Sequence, residues 1–165
     1  KESVAIAYNN TGRIYLDLGE YEKALEFTQK GMKIRLALYP EDHVNIAINL
    51  TNLGAIWAKT GEYEKALDTH EKALAIRLKH FAENHHAVAD SYHHIGVIFD
   101  NYLQFKKGLE YYEKALAIRL NVYGETHPDV GASYHAMGRM YDRLGHHERA
   151  IEFHEKSIAI DLMER

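Results

Sequence analysis

The chain has 165 residues, a formal net charge of −4 and no cysteine, so disulfides, thiolate metal sites and cysteine nucleophiles are excluded. Hydrophobic residues make up 46% and charged residues 27%, which is ordinary for a folded protein, and the acidic balance gives no reason to expect nucleic-acid binding. Because no apolar run is long enough to span a bilayer and no signal-peptide pattern is present, we expect a cytoplasmic protein without membrane segments.

Apolar residues recur along the chain at three- and four-residue steps, which is the period of the α-helix. In the first such segment they include Ala5, Tyr8 and Gly12, and a break follows at Gly19. The third comparable break has Leu103 in place of glycine, so that turn must close without one. The segments predict eight helices, at 2–17, 21–37, 44–59, 63–79, 86–101, 105–121, 128–143 and 147–162.

The sequence repeats itself with a period of 42 residues. Glycine recurs at this interval, as do an aromatic residue three positions later and a small residue twelve positions later, and residues 71–78 recur at 113–120. Glycine inside a helix costs about 1 kcal/mol relative to alanine, so its recurrence indicates close approach of a paired helix. We predict a single domain, 1–165, of four two-helix repeats at about 1–42, 43–84, 85–126 and 127–165. The repeated glycines are Gly12, Gly54, Gly96 and Gly138.

These repeats resemble the tetratricopeptide repeat, and specifically its longer form in kinesin light chains. The resemblance is carried by the phrase Tyr-Glu-Lys-Ala-Leu at 21–25 and 63–67, by Ala-Ile-Arg-Leu at 75–78 and 117–120, and by His-Pro-Asp-Val at 127–130. It implies an all-α fold, a right-handed superhelical solenoid of four helical hairpins whose first helices line a concave groove. It also implies an adaptor or scaffold that binds extended peptide segments, by analogy with cargo binding by kinesin light chains.

The resemblance places a set of polar residues in the groove. Asparagine amides can hold the backbone of an extended peptide, and arginine or lysine can pair with its acidic side chains. Since kinesin light chains as a family bind peptides with a tryptophan flanked by acidic residues, we expect an acidic, tryptophan-containing peptide as partner. The implied groove residues are Asn9, Asn10, Arg13, Thr51, Asn52, Lys59, His93, His94, Asn101, His135, Arg139 and Arg143.

Twelve histidines raise the question of metal binding or pH sensing. No two lie three or four residues apart, as a helical zinc pair would, and the alternative is a weak divalent site from His86, Asp90 and His94. We favour solvated groove histidines without a metal or other cofactor. If His93, His94 and His135 gain charge near pH 6.5, acidic peptides should bind more tightly below about pH 6. The linker histidines His43, His85 and His127 are expected to serve helix starts.

The sequence has no pattern of a catalytic site, because it contains no glycine-rich phosphate loop, no Gly-x-Ser-x-Gly elbow and no metalloprotease motif. We therefore expect a binding module and not an enzyme. The alternative is a regulatory or sensor segment of a larger signalling protein or enzyme, acting through intramolecular contacts or self-association. Self-association is expected at the last repeat, where Ile151, Ile158 and Leu162 form an apolar face with no covering helix.

Overall fold

The computed structural model describes residues 1–163, and within them the chain forms eight α-helices and no strand, which confirms the predicted all-α repeat fold. Each odd-numbered helix packs on the helix that follows it, so that the described residues form four helical hairpins. The helices are α1 (Glu2–Asp17), α2 (Tyr21–Leu38), α3 (Val44–Lys59), α4 (Tyr63–His80), α5 (His86–Asn101), α6 (Phe105–Tyr123), α7 (Pro128–Arg143) and α8 (His147–Met163).

The bounds of the first helix in each hairpin are those predicted, whereas each second helix runs one or two residues longer. The first helices end at a sharp turn, which in three of the four hairpins contains a glycine. The second helices end at a residue whose backbone is not helical. Tyr39, which precedes Pro40, ends α2 in an extended conformation, and Gly124 ends α6 with a φ of 82°.

Three histidines begin the first helices α3, α5 and α7, as expected from the sequence. In each case the Nδ1 atom accepts a hydrogen bond from the backbone N–H two residues later, at 3.0 to 3.1 Å. The ring also stacks on an aromatic residue four positions earlier, with centroids 3.8 to 4.1 Å apart. Each repeated histidine is thus a helix N-cap held in place by an aromatic ring. The pairs are His43 with Tyr39, His85 with Phe81, and His127 with Tyr123.

The repeated glycines lie where the paired helix comes closest. A Cβ atom added at Gly54 would lie 2.6 Å from the ring of His70, and one added at Gly96 would lie 2.7 Å from the ring of Tyr112. Both rings are almost completely buried. The glycine is therefore needed because the facing side chain occupies the space that a methyl group would take.

The chain divides into two compact units of two hairpins each: a first unit, Lys1–His80, with α1–α4, and a second, beginning at Phe81, with α5–α8. Within the first unit α2 packs on α3, and within the second α6 packs on α7. A single array across 1–165, with the repeat bounds given above, remains a prediction.

A buried arginine joins the two hairpins of each unit. In the first unit, Arg35 of α2 donates to the carbonyl oxygen of Asn45 (3.0 Å) and to Oδ1 of Asn49 (2.5 Å), both on α3. In the second, Arg119 of α6 donates to Oγ of Ser133 on α7 at 2.9 Å. Arg35 and Arg119 thus tie α2 and α6, respectively, to the hairpin that follows in the same unit.

Candidate peptide-binding surface

In the first unit, the polar residues expected in the groove lie on α1 and α3, with unequal exposure. Asn10, Arg13 and Lys59 are exposed, whereas Thr51 and Asn52 are half-buried. The hydroxyl of Thr51 donates to the carbonyl oxygen of Ala47 at 2.9 Å, one helical turn earlier. Thr51 therefore bonds its own helix. Of the residues expected in the groove of this unit, Asn10, Arg13 and Lys59 are the exposed ones.

Asn9 differs from the expectation because it lies inside the first unit and not on its surface. Its side chain is buried, and its Oδ1 accepts from Nδ2 of Asn52 at 2.8 Å and from Nδ2 of Asn49 at 3.3 Å. Asn49 in turn accepts from Arg35. Asn9 is thus one link in a chain of hydrogen bonds from a buried arginine to the half-buried Asn52.

His93, expected in the groove of the second unit, is half-buried. Its ring lies 5.1 Å from that of Tyr112, and its Nδ1 is 3.3 Å from Nη1 of Arg119. Burial, together with the nearby charge of Arg119, lowers the pKa of His93 to about 3. His93 is therefore neutral at pH 6, and it does not contribute to the expected gain of positive charge on this surface.

A group of three charged side chains on the second unit joins α5 to α7. Asp100 is buried to 2% exposure, and its two carboxylate oxygens accept from Nη2 of Arg139 (2.5 Å) and Nη1 of Arg143 (2.8 Å). Both arginine side chains remain close to half exposed, and the guanidinium of Arg143 also lies 5.4 Å from the ring centroid of Phe105. A single buried carboxylate thus holds two exposed guanidinium groups, which leaves one net positive charge.

The sequence had indicated the two arginines but not their joint attachment to Asp100. The repeat interval could have indicated this contact, since Arg139 and Arg143 follow Asp100 by about one repeat and are one helical turn apart. Of the other residues expected on this unit, His135 and Asn101 are exposed and His94 is half-buried. The rings of His135 and His154 lie 5.4 Å apart.

Among the described residues, no group of three or more histidine, aspartate or glutamate side chains is arranged to hold a metal ion. In particular, Asp90, one of the three residues of the weak alternative, accepts a hydrogen bond from Arg119 at 3.2 Å. In the part of the chain that the structure describes, no helix is long and apolar enough to cross a membrane.

The family model of the tetratricopeptide repeat matches residues 3–79, 45–101 and 103–162 of the chain. No curated protein sequence matches this chain. Several solved structures match it in fold. BtubC (BKLC) of P. vanneervenii is 24% identical with a TM-score of 0.84, and the match covers 97% of this chain and 64% of that protein. This chain therefore spans less than two thirds of that relative.

Two other solved structures have the same arrangement of helices. A kinesin light chain-like protein of Podosopora anserina with nearly identical TPR-like repeats is 22% identical with a TM-score of 0.82, over 99% of this chain and 77% of that one. Aspartyl phosphate phosphatase F of Bacillus subtilis is 14% identical with a TM-score of 0.85, over 99% of this chain and 41% of that one. At these identities the likeness concerns the fold alone.

Proposed function

The chain belongs to the tetratricopeptide repeat family, and we propose that it binds extended acidic peptide segments of other proteins on the exposed faces of its first helices. Members of this family generally mediate protein–protein interactions, and the repeat is typically non-catalytic. The finer proposal concerns the surface used and the chemistry of the partner. An adaptor role comparable with cargo binding by kinesin light chains would place the protein in the cytoplasm.

The observation that carries the proposal is the attachment of Arg139 and Arg143 to buried Asp100. Each guanidinium has five N–H donors, of which one is used in the hydrogen bond to Asp100. An anchored arginine loses less side-chain entropy on binding a carboxylate than a freely rotating one. The pair therefore favours a ligand with acidic side chains spaced along an extended backbone.

The first unit supports the same chemistry with different groups. The amide of Asn52 is oriented by its hydrogen bond to Asn9, and the exposed Asn10 and Arg13 lie on the neighbouring α1. Asparagine amides suit the backbone of an extended peptide, because they offer both donors and an acceptor. Lys59 adds a positive charge at the end of α3.

The test is binding of labelled peptides with one tryptophan flanked by aspartate and glutamate, followed by fluorescence anisotropy. We expect the double variant Arg139→Gln/Arg143→Gln to bind at least ~10-fold more weakly, equal to about 1.4 kcal/mol. An Asn10→Ala/Asn52→Ala variant should also bind more weakly, since it removes amides proposed to hold the peptide backbone. Binding should weaken with added salt, because the surface is solvent-exposed.

The matched control is Lys30→Gln/Lys72→Gln, which removes the same charge from exposed i,i+4 pairs on the second helices α2 and α4. Its affinity should stay within about twofold of the unmodified protein, because these lysines lie on second helices and not on the first helices proposed to bind the peptide. Loss of such surface pairs also changes folding stability little. Equal losses in the two charge variants would show that net charge, and not the anchored arginine pair, drives binding. Failure of the unmodified protein to bind any such peptide would refute the proposal.

A further inference from the structure

The last described helix has an apolar face that the equivalent inner helix buries. On α8, Ile151 and Ile158 are 57% and 55% exposed. The residues one repeat earlier, Leu109 and Leu116 on α6, are half-buried and pack against the hydrophobic cluster that contains Met137 and Met140 of α7. The two isoleucines therefore occupy positions that, in the preceding hairpin, contact a first helix.

The first helix has a matching apolar face. Val4 and Ile14 on α1 are 48% and 56% exposed, whereas the equivalent residues of α3 and α7 are at most 3% exposed. Ile6 does not belong to this face, because its inner equivalent Ile48 is exposed to the same degree, at 42% against 44%. The buried equivalents are Ile46 and Ile56 on α3, and Val130 and Met140 on α7.

A cleft of about 470 Å³ lies beside Val4, between the start of α1 and the end of α2, and is also lined by Ile34, Ala37 and Leu38. The equivalents of Val4 and Ile34 one repeat later are Ile46 and Ile76, and against these packs Met32 of α2. The residue of α8 that corresponds to Met32 is Ile158, 126 residues (three repeats) further on. Ile158 is exposed, and it has the repeat position at which Met32 packs against Ile46 and Ile76, the equivalents of the residues that line the cleft.

The charges at the two faces are also complementary. In each unit the inner packing uses an arginine, Arg35 or Arg119, but the equivalent residue of α8 is Asp161. On α1, Ala7 has the position of the acceptors Asn49 and Ser133. The α8 face therefore lacks the arginine donor, and the α1 face lacks its side-chain acceptor. The cleft beside Val4 is instead flanked by Lys1 and Lys33, which suit a carboxylate.

We propose that these two faces bind each other in different copies of the chain, with α8 of one copy packed on α1 and α2 of the next. The contact repeats the α2–α3 packing of the first unit and the α6–α7 packing of the second, with Ile158 at the place of Met32 and Asp161 beside Lys1. Such a head-to-tail contact is heterologous, so each added copy leaves one face of each kind exposed.

The test is sedimentation velocity of the 165-residue chain over a concentration series, with Ile14→Lys and Ile158→Lys as single variants. We expect the weight-average mass of the unmodified chain to rise with concentration beyond twice the monomer mass. Each variant alone should stay monomeric, because one of its two faces is blocked. An equimolar mixture of the two should reach twice the monomer mass and no more, since one intact face of each kind remains.

The control is Ile48→Lys, which places the same charge at a partly exposed isoleucine on α3 that lies outside both faces. It should assemble like the unmodified chain. Because both test residues are more than half exposed, the variants should keep their helicity, which circular dichroism checks. Assembly that Ile158→Lys abolishes and Ile14→Lys preserves would mean a tail-to-tail contact and would overturn the proposal. A chain that stays monomeric at every concentration would overturn it too.

Discussion

At the scale of single residues, Leu103 has the most unfavourable backbone of the described chain. Its φ is 62°, a left-handed conformation that Gly19, Gly61 and Gly145 adopt at the equivalent turns with φ of 78° to 83°. For a residue with a Cβ this conformation costs about 1–2 kcal/mol. The third hairpin therefore closes by the same turn as the others and does so under strain.

We predict that Leu103→Gly stabilises the protein by about 0.5–1 kcal/mol, because relief of strain exceeds the entropy that glycine adds to the unfolded chain. The measurement is the midpoint of urea unfolding. The reverse exchange, Gly61→Leu, should destabilise by a similar or larger amount. A lower midpoint for Leu103→Gly would show that the side chain of Leu103 stabilises the turn more than the strain costs.

His93 makes stability depend on pH. Its folded pKa is lowered to about 3 by burial, below the ordinary value of about 6.5 that applies in the unfolded chain. Between these values the unfolded state binds more protons than the folded one. The free energy of unfolding is therefore not reduced by His93 above about pH 6.5, and it falls as the pH is lowered from there toward 3.

We predict that His93→Gln reduces the loss of stability between pH 6 and pH 4 by up to about 1.4 kcal/mol per pH unit. The measurement is the free energy of unfolding in urea at several pH values. His135→Gln is the matched control, since it removes an exposed histidine from the same surface. Identical pH profiles for His93→Gln and the unmodified protein would mean that His93 takes up a proton as readily in the folded state as in the unfolded one.

At the scale of helices, two glycines that face each other across the α5–α6 hairpin have different roles. A Cβ at Gly96 meets the buried ring of Tyr112, which cannot move aside. A Cβ at Gly108 meets the terminal methyl group of Met140, the end of a flexible side chain. Moreover, the other three repeats have alanine at the position of Gly108.

Gly96→Ala should therefore destabilise the protein by about 1–3 kcal/mol through overpacking. By contrast, Gly108→Ala should range from neutral to about 1 kcal/mol more stable, because alanine favours the helix. Thermal unfolding followed by circular dichroism measures both variants. Similar losses in the two would show that the backbone contact between the helices, and not the facing side chain, limits the size of both residues.

At the scale of the molecule, the arginine contacts couple hairpins within each unit. Arg119 bonds α5 through Asp90 and α7 through Ser133, so it links both hairpins of the second unit. Neighbouring repeats depend on such contacts, because the stability of a repeat protein is approximately a sum of repeat and interface contributions.

We predict that Arg119→Met destabilises the protein by about 2 kcal/mol at pH 7.5, because it keeps the aliphatic packing but leaves the buried hydroxyl of Ser133 without its donor. Lys72→Met removes an exposed ion pair with Asp68 and should cost less than about 0.5 kcal/mol. Urea midpoints compare the two variants. Equal, small effects would mean that apolar packing alone joins the hairpins.

The repeat, the hairpins and most of the helix ends could be predicted from the amino-acid sequence. These features follow from local chemistry: the helical period of apolar residues, a glycine at each close helix pair, and a histidine that caps the helix beginning next to it. They recur every 42 residues, so each repeat strengthens the interpretation of the others.

Which polar residues of the first helices reach the surface depends on tertiary contacts that the sequence pattern does not reveal. Asn9 and His93 have the helical positions of groove residues, but contacts with partners 26 to 43 residues away along the chain leave Asn9 buried and His93 half-buried. In the same way, buried Asp100 pairs with Arg139 and Arg143 of α7, about one repeat later along the chain. Helical periodicity gives the face on which a side chain lies, whereas burial depends on the neighbouring hairpin that packs over it.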